Sequence, residues 1–326
     1  MNNTTLAQIL KYFGLGNLVN CTQYLKGMVN LTYIVTTDSG TYIVQRLSTI
    51  FNDRVIEDHF EVASFLMSQG FIAPELIKTP SGSLSMRKDG FLWKVCKYIS
   101  HDPKSSPTVG SITSAAALLG RFHRVMEGCR YVPQYLIPDF HHTRKIIAKL
   151  SRVFKDHSRV ESVEQYAVLA DYFLSKYIES KTRHYPTYDD EPPILIHGDP
   201  KFDNFLFEND RAVALIDFDT VMRSDRLVDI GDGFGSWCRK NSTEFDRHLF
   251  VQALEAYNSE SRVKVLETDA KSAVSHIALE LGARFLIDCF EESYFEWDSS
   301  KYKNRAEHNF ARANRMFFYH QNIMKA

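Results

Sequence analysis

Residues 197–204 read HGDPKFDN, and residues 216–219 read IDFD. The first run offers a carboxylate at Asp199 and, five positions later, a carboxamide at Asn204. The second offers Asp217 at the end of an apolar, strand-like run, AVALI over 212–216. Phosphoryl transfer from ATP calls for such a set. One carboxylate orients the acceptor hydroxyl, while an amide oxygen and a second carboxylate hold Mg²⁺. A lone aspartate closing a buried strand also needs a charged partner, which a metal supplies. The plain alternative is that Asp199 and Asn204 are turn residues, as Asp and Asn commonly are.

Working outward, residues 194–196 read as a strand leading into the first motif. Residues 205–207 and 212–218 read as a hairpin around Asn209-Asp210, so both motifs sit at strand ends. Upstream the signals are mixed. Thr4 and Thr5 can cap a helix over 6–13 that stops at Gly14. Residues 33–37 and 41–47 are rich in β-branched and aromatic side chains and flank the turn Asp38-Ser39-Gly40. Residues 54–69 carry a helical apolar stripe closed by Gly70, and 91–99 (FLWKVCKYI) reads as a further strand. The polar run 101–107, with two prolines, suggests a linker. Beyond it helical spacing dominates, over 112–126, 158–180, 244–258, 269–290 and 304–324. The expected architecture is α+β and bilobal: a small β-rich lobe over 1–99 that binds nucleotide, and a larger, mainly helical lobe over 100–326 for catalysis and acceptor binding.

Composition narrows the field. The 326 residues are 44% hydrophobic, enough for a sizeable core, and the net charge of −1 offers no field for nucleic acid or acidic membrane. No apolar run reaches membrane-spanning length. Five scattered cysteines without a CxxC pair suit reduced thiols in a cytoplasmic setting and argue against zinc.

Several further residues are candidates, each with an ordinary alternative. Lys201 is placed to reach the transferring phosphate, or is a solvated loop lysine. Asp219 could assist a second metal, line the acceptor site or cap a turn. Gly27, in LKGMVNLTY, would lie in a phosphate-covering loop or be only a turn glycine, with Asn30 adding a side-chain donor. Arg46 would meet the α- and β-phosphates with Glu61 (or Glu57) as its carboxylate partner, or the two would form a surface ion pair. Tyr98 and Ile99 would offer backbone groups to adenine. Adjacent His141 and His142 point in different directions and make a poor metal pair. Glu280, Arg284 and Asp288, spaced by four, form either an exposed charge ladder or a polar face lining a substrate pocket, with Arg284 on its wall.

Taken together, HGDPKFDN and IDFD resemble the aminoglycoside phosphotransferase and choline kinase family, whose fold is similar to that of protein kinases. YIVQRLSTIF, LWKVCKYI, IPDFHHT, IDFDTVM and LELGARFLIDCFEESYF resemble the N-acetylhexosamine 1-kinase branch of it. The resemblance implies that Asp199 is catalytic and that Asn204 and Asp217 bind metal. It also implies that Asp229 in LVDIGD braces the catalytic loop through backbone hydrogen bonds. Two departures stand out. Gly198 replaces the arginine of protein kinases, so control through an activation loop is not expected. The small-lobe lysine is missing, with Gln45 in its register and Arg46 next to it. The expected activity is ATP- and Mg²⁺-dependent phosphorylation of a hydroxyl on a small molecule, first a sugar or amino sugar, with choline, homoserine or an aminoglycoside as alternatives. A nucleotide-binding pseudokinase scaffold is the rival of another class. Oligomeric state cannot be read from the sequence.

Overall fold

Alternation and turn chemistry set out the first unit, which comprises residues 1–105, 128–137 and 204–223. The structure is a computed structural model, and it describes residues 3–24, 30–102, 107–156, 164–181 and 193–326. Helix α1 (Asn3–Phe13) ends where Gly14 turns left-handed at φ 69°. Strands β1 (Leu18–Tyr24), β2 (Leu31–Thr37) and β3 (Gly40–Arg46) follow. Next come α2 (Asp53–Ser68), β4 (Met86–Lys88) and β5 (Phe91–Lys97). The sheet is antiparallel, in the order β1-β2-β3-β5-β4. β1 has no buried residue, so its sequence lacks the alternation of a half-buried strand.

Register decides which side chains share a face. Val44 pairs with Val95, and both face a core that includes Leu6, Ile9, Tyr33 and Trp93. Gln45 pairs with Lys94 on the opposite face, among Ile43, Leu47, Leu92 and Cys96, where Val55 and Ile56 of α2 pack. Asn52 caps α2, its side chain accepting from Arg54 N. Asp58 on the inner side of α2 accepts from Tyr131 Oη at 2.7 Å and from the N–H groups of Gln134 and Tyr135 at 2.8 and 2.9 Å. These bonds fix segment 128–137 to this unit.

The second unit comprises residues 106–127, 138–203 and 224–326. Its helices are α3 (Val109–Met126), α4 (Thr143–Asp156), α5 (Glu164–Lys181), α6 (Arg226–Trp237), α7 (Arg247–Glu260), α8 (Glu267–Glu291) and α9 (Arg305–Lys325). Strand β6 (Ile194–Ile196) enters the first motif. The hairpin strands β7 (Phe205–Glu208) and β8 (Arg211–Leu215) cluster with the first unit, and β9 (Met222–Ser224) follows. Buried α8 residues form a core with Ile146, Leu150, Phe173 and Met316.

One expectation needs correction, and two helices were not anticipated. The strand expected over 212–218 stops at Leu215, because Asp217 turns left-handed and 218–220 form a 3₁₀ turn. Within 158–180, the helix is described from Glu164 onward, while α4 was not anticipated. Nor was α6, where glycines at 231, 233 and 235 weaken helix propensity. Packing explains one of them: a Cβ on Gly231 would lie 2.6 Å from Ala273 O. No helix among the described residues is long and apolar enough to cross a membrane.

Close helix approach depends on Gly120 in the same way. A Cβ there would sit 2.3 Å from Tyr257 O on α7. Gly120→Ala should therefore lose about 1–3 kcal/mol, despite alanine's better helix propensity, and urea unfolding of the two proteins measures the difference.

Candidate active site

In the first unit the hairpin brings the two proposed metal ligands near one another. Phe205 pairs with Leu215, and Ile216 N donates to Asn204 O at 2.9 Å, so Asn204 stands opposite the residue before Asp217. Asn204 is buried. Asp217 holds φ 71°, ψ 60°, a left-handed conformation that costs an ordinary side chain free energy and is found where surrounding structure enforces it. Their donors fit Mg²⁺, a hard ion that commonly takes one or two such oxygens from protein and the rest from phosphate and water.

Asp219 is placed differently from any of its expected roles. Its carboxylate accepts from Lys94 Nζ at 2.5 Å and from Asn30 Nδ2 at 2.8 Å. Lys94 also lies 3.1 Å from His59 Nδ1, and all three charged or ionisable groups are buried. Burial opposes the Asp219 charge, but the Lys94 ammonium outweighs it and holds the carboxyl below its ordinary range. Burial together with the Lys94 charge lowers His59. Lys94 itself is pushed down by burial and lifted further by Asp219 and its neighbours, so it stays charged. Asn30 has therefore committed its donor to Asp219, and its Oδ1 accepts from Ser48 N at 2.9 Å.

The other nucleotide candidates are scattered. Arg46 points to the sheet face away from Gln45, with its guanidinium 4.1 Å from the Phe91 ring centre. Glu57 and Glu61 are exposed, and no ion pair joins either to Arg46 among the described residues. Gln45 donates to Thr32 Oγ1 at 3.1 Å. Tyr98 N bonds Thr41 O at 3.3 Å, and His101 Nδ1 donates to Ile99 O at 2.8 Å. Gly27 lies outside the described residues. Lys94 and His59 were missed, although a lysine inside the apolar run FLWKVC signals a buried partner.

The second unit holds Asp199. Lys201 Nζ sits 2.5 Å from Asp199 Oδ2. Asp229 accepts from His197 N at 2.8 Å and Gly198 N at 2.7 Å, the backbone bonds expected of it. His123 bridges from Asp229, at 3.0 Å, to Tyr257 Oη, at 2.7 Å. Burial and the nearby Asp199 charge raise the Asp232 carboxyl to about 7. His141 meets Glu280 through Nδ1 at 3.0 Å and donates through Nε2 to Gly198 O at 2.7 Å. Glu280 also accepts from Thr143 Oγ1 at 2.5 Å.

The exposed-ladder reading of Glu280, Arg284 and Asp288 does not hold, since Glu280 and Asp288 are buried. Asp288 accepts from the N–H groups of Ser293, Tyr294 and Phe295 at 2.8 to 2.9 Å. Arg284 is surrounded by the rings of Phe140, Tyr294 and Phe295, each 5.1 to 5.4 Å away. No alternation or period in the sequence foretells His141 joining Glu280, 139 residues away.

A family model described as the phosphotransferase enzyme family matches residues 20–264. A homoserine kinase of Methylobacillus flagellatus is 21% identical over 295 residues, covering 89% of this chain and 85% of that one. Among solved structures, an amicoumacin kinase in complex with AMP-PNP and Ca²⁺ superposes with a TM-score of 0.66 at 14% identity, covering 98% of this chain and 96% of that one. A choline/ethanolamine kinase family protein from Mesorhizobium loti gives 0.59 at 17%, covering 99% and 98%. The likeness is one of fold, a kinase-like one with a small antiparallel sheet and a larger helical part.

The His141–Glu280 pair yields a pH prediction. Burial disfavours both charges, but each partner outweighs it, lifting His141 from 6.5 to about 9 and lowering Glu280 from 4.5 to about 2. The raised His141 stabilises fully below about pH 6.5 and loses that contribution as pH rises through 9. The depressed Glu280 stabilises above about pH 4.5 and loses it as pH falls through 2. Glu280→Gln, which leaves His141 without its carboxylate, should cost on the order of 3 kcal/mol near pH 5.5. Urea titrations at pH 5.5 and 9.5 should show that gap narrowing at the higher pH.

Proposed function

Because the chain belongs to the phosphotransferase enzyme family, a family of small-molecule kinases, we propose that it transfers the γ-phosphoryl group of ATP to a hydroxyl of a small molecule. A sugar or amino sugar is the first choice of acceptor. The observation that carries the reading is Asp217, held left-handed beside Asn204 in a hairpin, where two hard oxygen donors suit a magnesium ion. Bound there, Mg²⁺ would neutralise charge on the transferring group.

Asp199 accepts a hydrogen bond from the acceptor hydroxyl, orients it, and takes its proton as the new P–O bond forms and the bond to ADP breaks. Lys201, paired with Asp199, keeps that carboxylate aimed, and is within reach of a phosphoryl oxygen. Asp229 holds the 197–198 backbone, so that Asp199 is presented from a rigid loop. Nucleotide would bind in the first unit, with Gly27 as the candidate for covering its phosphates and Tyr98 and Ile99 beside the adenine. The Tyr98 N–H and Ile99 carbonyl would exchange their present internal bonds for that contact. Arg284 among its three rings offers a wall of mixed character to the acceptor: aromatic faces stack on a sugar ring, and the guanidinium binds an oxygen. Five free cysteines accord with a cytoplasmic setting.

A second acceptor, homoserine, is favoured by the relatives named homoserine kinase, since Arg284 could equally hold a carboxylate. A panel of N-acetylhexosamines, other sugars, homoserine, choline and aminoglycosides, read by ADP release and by NMR of the product, separates these readings. Asp199→Asn should lower kcat by about 10²–10⁴ with little change in the KM for ATP. Undiminished turnover in that variant would exclude the role given to Asp199. Nucleotide binding with no turnover on any acceptor would favour a scaffold.

A further inference from the structure

The interior of the first unit holds a lysine that the functional reading has not used. Lys94 projects from the middle of β5, on the sheet face it shares with Gln45 and Thr32. Its ammonium is buried and among the described residues meets Asp219 Oδ1 at 2.5 Å and His59 Nδ1 at 3.1 Å. His59 Nε2 faces the carbonyl of Pro74 at 2.9 Å and must donate to it. Its Nδ1 is then the unprotonated nitrogen and accepts from Lys94. The imidazole thus carries no charge, and Lys94 supplies the cation that Asp219 needs.

What Asp219 anchors gives this pair its interest. It closes the three-residue stretch Asp217-Phe218-Asp219. Phe218 is fully buried, edge-on to the His59 ring at 5.6 Å. Asp217 begins the stretch in its left-handed conformation. The far end of the stretch is therefore tied to the sheet by Lys94 and to residue 30 by Asn30. The near end carries the carboxylate assigned to metal.

We propose that Lys94 is a positioning residue for the metal–nucleotide part of this site: acting through Asp219, it holds Asp217 in the backbone conformation that accepts Mg²⁺. This rests on the phosphotransferase reading above. It places the important cation on β5, across the ladder from Gln45, and removes Arg46 from the site. Since residues 45 and 94 are directly opposed, with Cβ atoms about 5 Å apart, an ammonium carried on residue 45 should also reach Asp219.

The test reads binding, without turnover. A fluorescent ATP analogue is titrated against the full-length protein with no metal and at a series of Mg²⁺ concentrations. The wild type should bind it more tightly as Mg²⁺ rises. Lys94→Met should raise the Mg²⁺ concentration for half-maximal effect at least tenfold while changing metal-free affinity less than threefold. The exchange Gln45→Lys with Lys94→Gln should recover most of that loss. If Lys94→Met does not fold, Lys94→Arg, which keeps the charge on a longer head group, should still shift the Mg²⁺ midpoint severalfold. An unshifted midpoint in a folded variant overturns the proposal. So does an equal loss with and without metal, which would mean a direct phosphate contact or general damage. Absence of Mg²⁺-dependent binding in the wild type would instead remove the phosphotransferase reading on which the proposal stands.

Discussion

The buried carboxylate of Asp219 is the tie on which the first unit depends. Taking a carboxylate out of water costs several kcal/mol unless charge and hydrogen bonds replace the lost hydration. Here Lys94 comes from β5 and Asn30 from the segment before β2, and His59 of α2 completes the shell around Lys94. The sheet, the helix and the hairpin that carries Asn204 and Asp217 are thus joined at one charged group. Apolar packing could hold these elements together, but it is non-directional. A charge that must be satisfied selects one arrangement of backbone around it.

The second unit solves a similar problem at Gly198. This residue sits at φ 84°, a conformation that favours glycine, and both its backbone polar groups are held from within the unit. Its N–H donates to Asp229 and its carbonyl accepts from His141. Behind these lie Glu280 on α8 and the His123–Tyr257 bridge joining α3 and α7. The loop that presents Asp199 is therefore gripped on both sides by buried side chains, themselves satisfied. Such support makes a loop precise enough for positioning catalysis. It also gives Gly198 a backbone reason to be glycine, beside the loss of an arginine there.

Much of the architecture was legible because local rules suffice for it. The β2–β3 hairpin follows from β-branched runs around Asp38-Ser39, α2 from its stripe and the Gly70 stop, and β5 from its apolar run. Where the local signal is weak or misleading, the reading failed. α6 is helical despite three glycines, and helix packing needs one of them, Gly231, to be small. The strand into IDFD ends early because its acidic residues have partners elsewhere in the unit that local alternation cannot reveal. On α2, charge and helical spacing drew attention to Glu57 and Glu61, while the polar residues turned inward are Asp58 and His59.

By itself, then, the sequence determined which chemistry to propose. Residue types at close spacing, HGDPKFDN and IDFD, suffice to nominate oxygen ligands and a hydroxyl-orienting carboxylate, because those groups lie near one another along the chain. Tertiary structure alone decided which charges support them. Lys94 meets Asp219 across 125 residues, and His141 meets Glu280 across 139. Burial then makes each pairing obligatory, since a charge removed from water cannot be left without a partner. Which long-range partner answers that need is set by register and helix packing, quantities that exist only once the chain has folded.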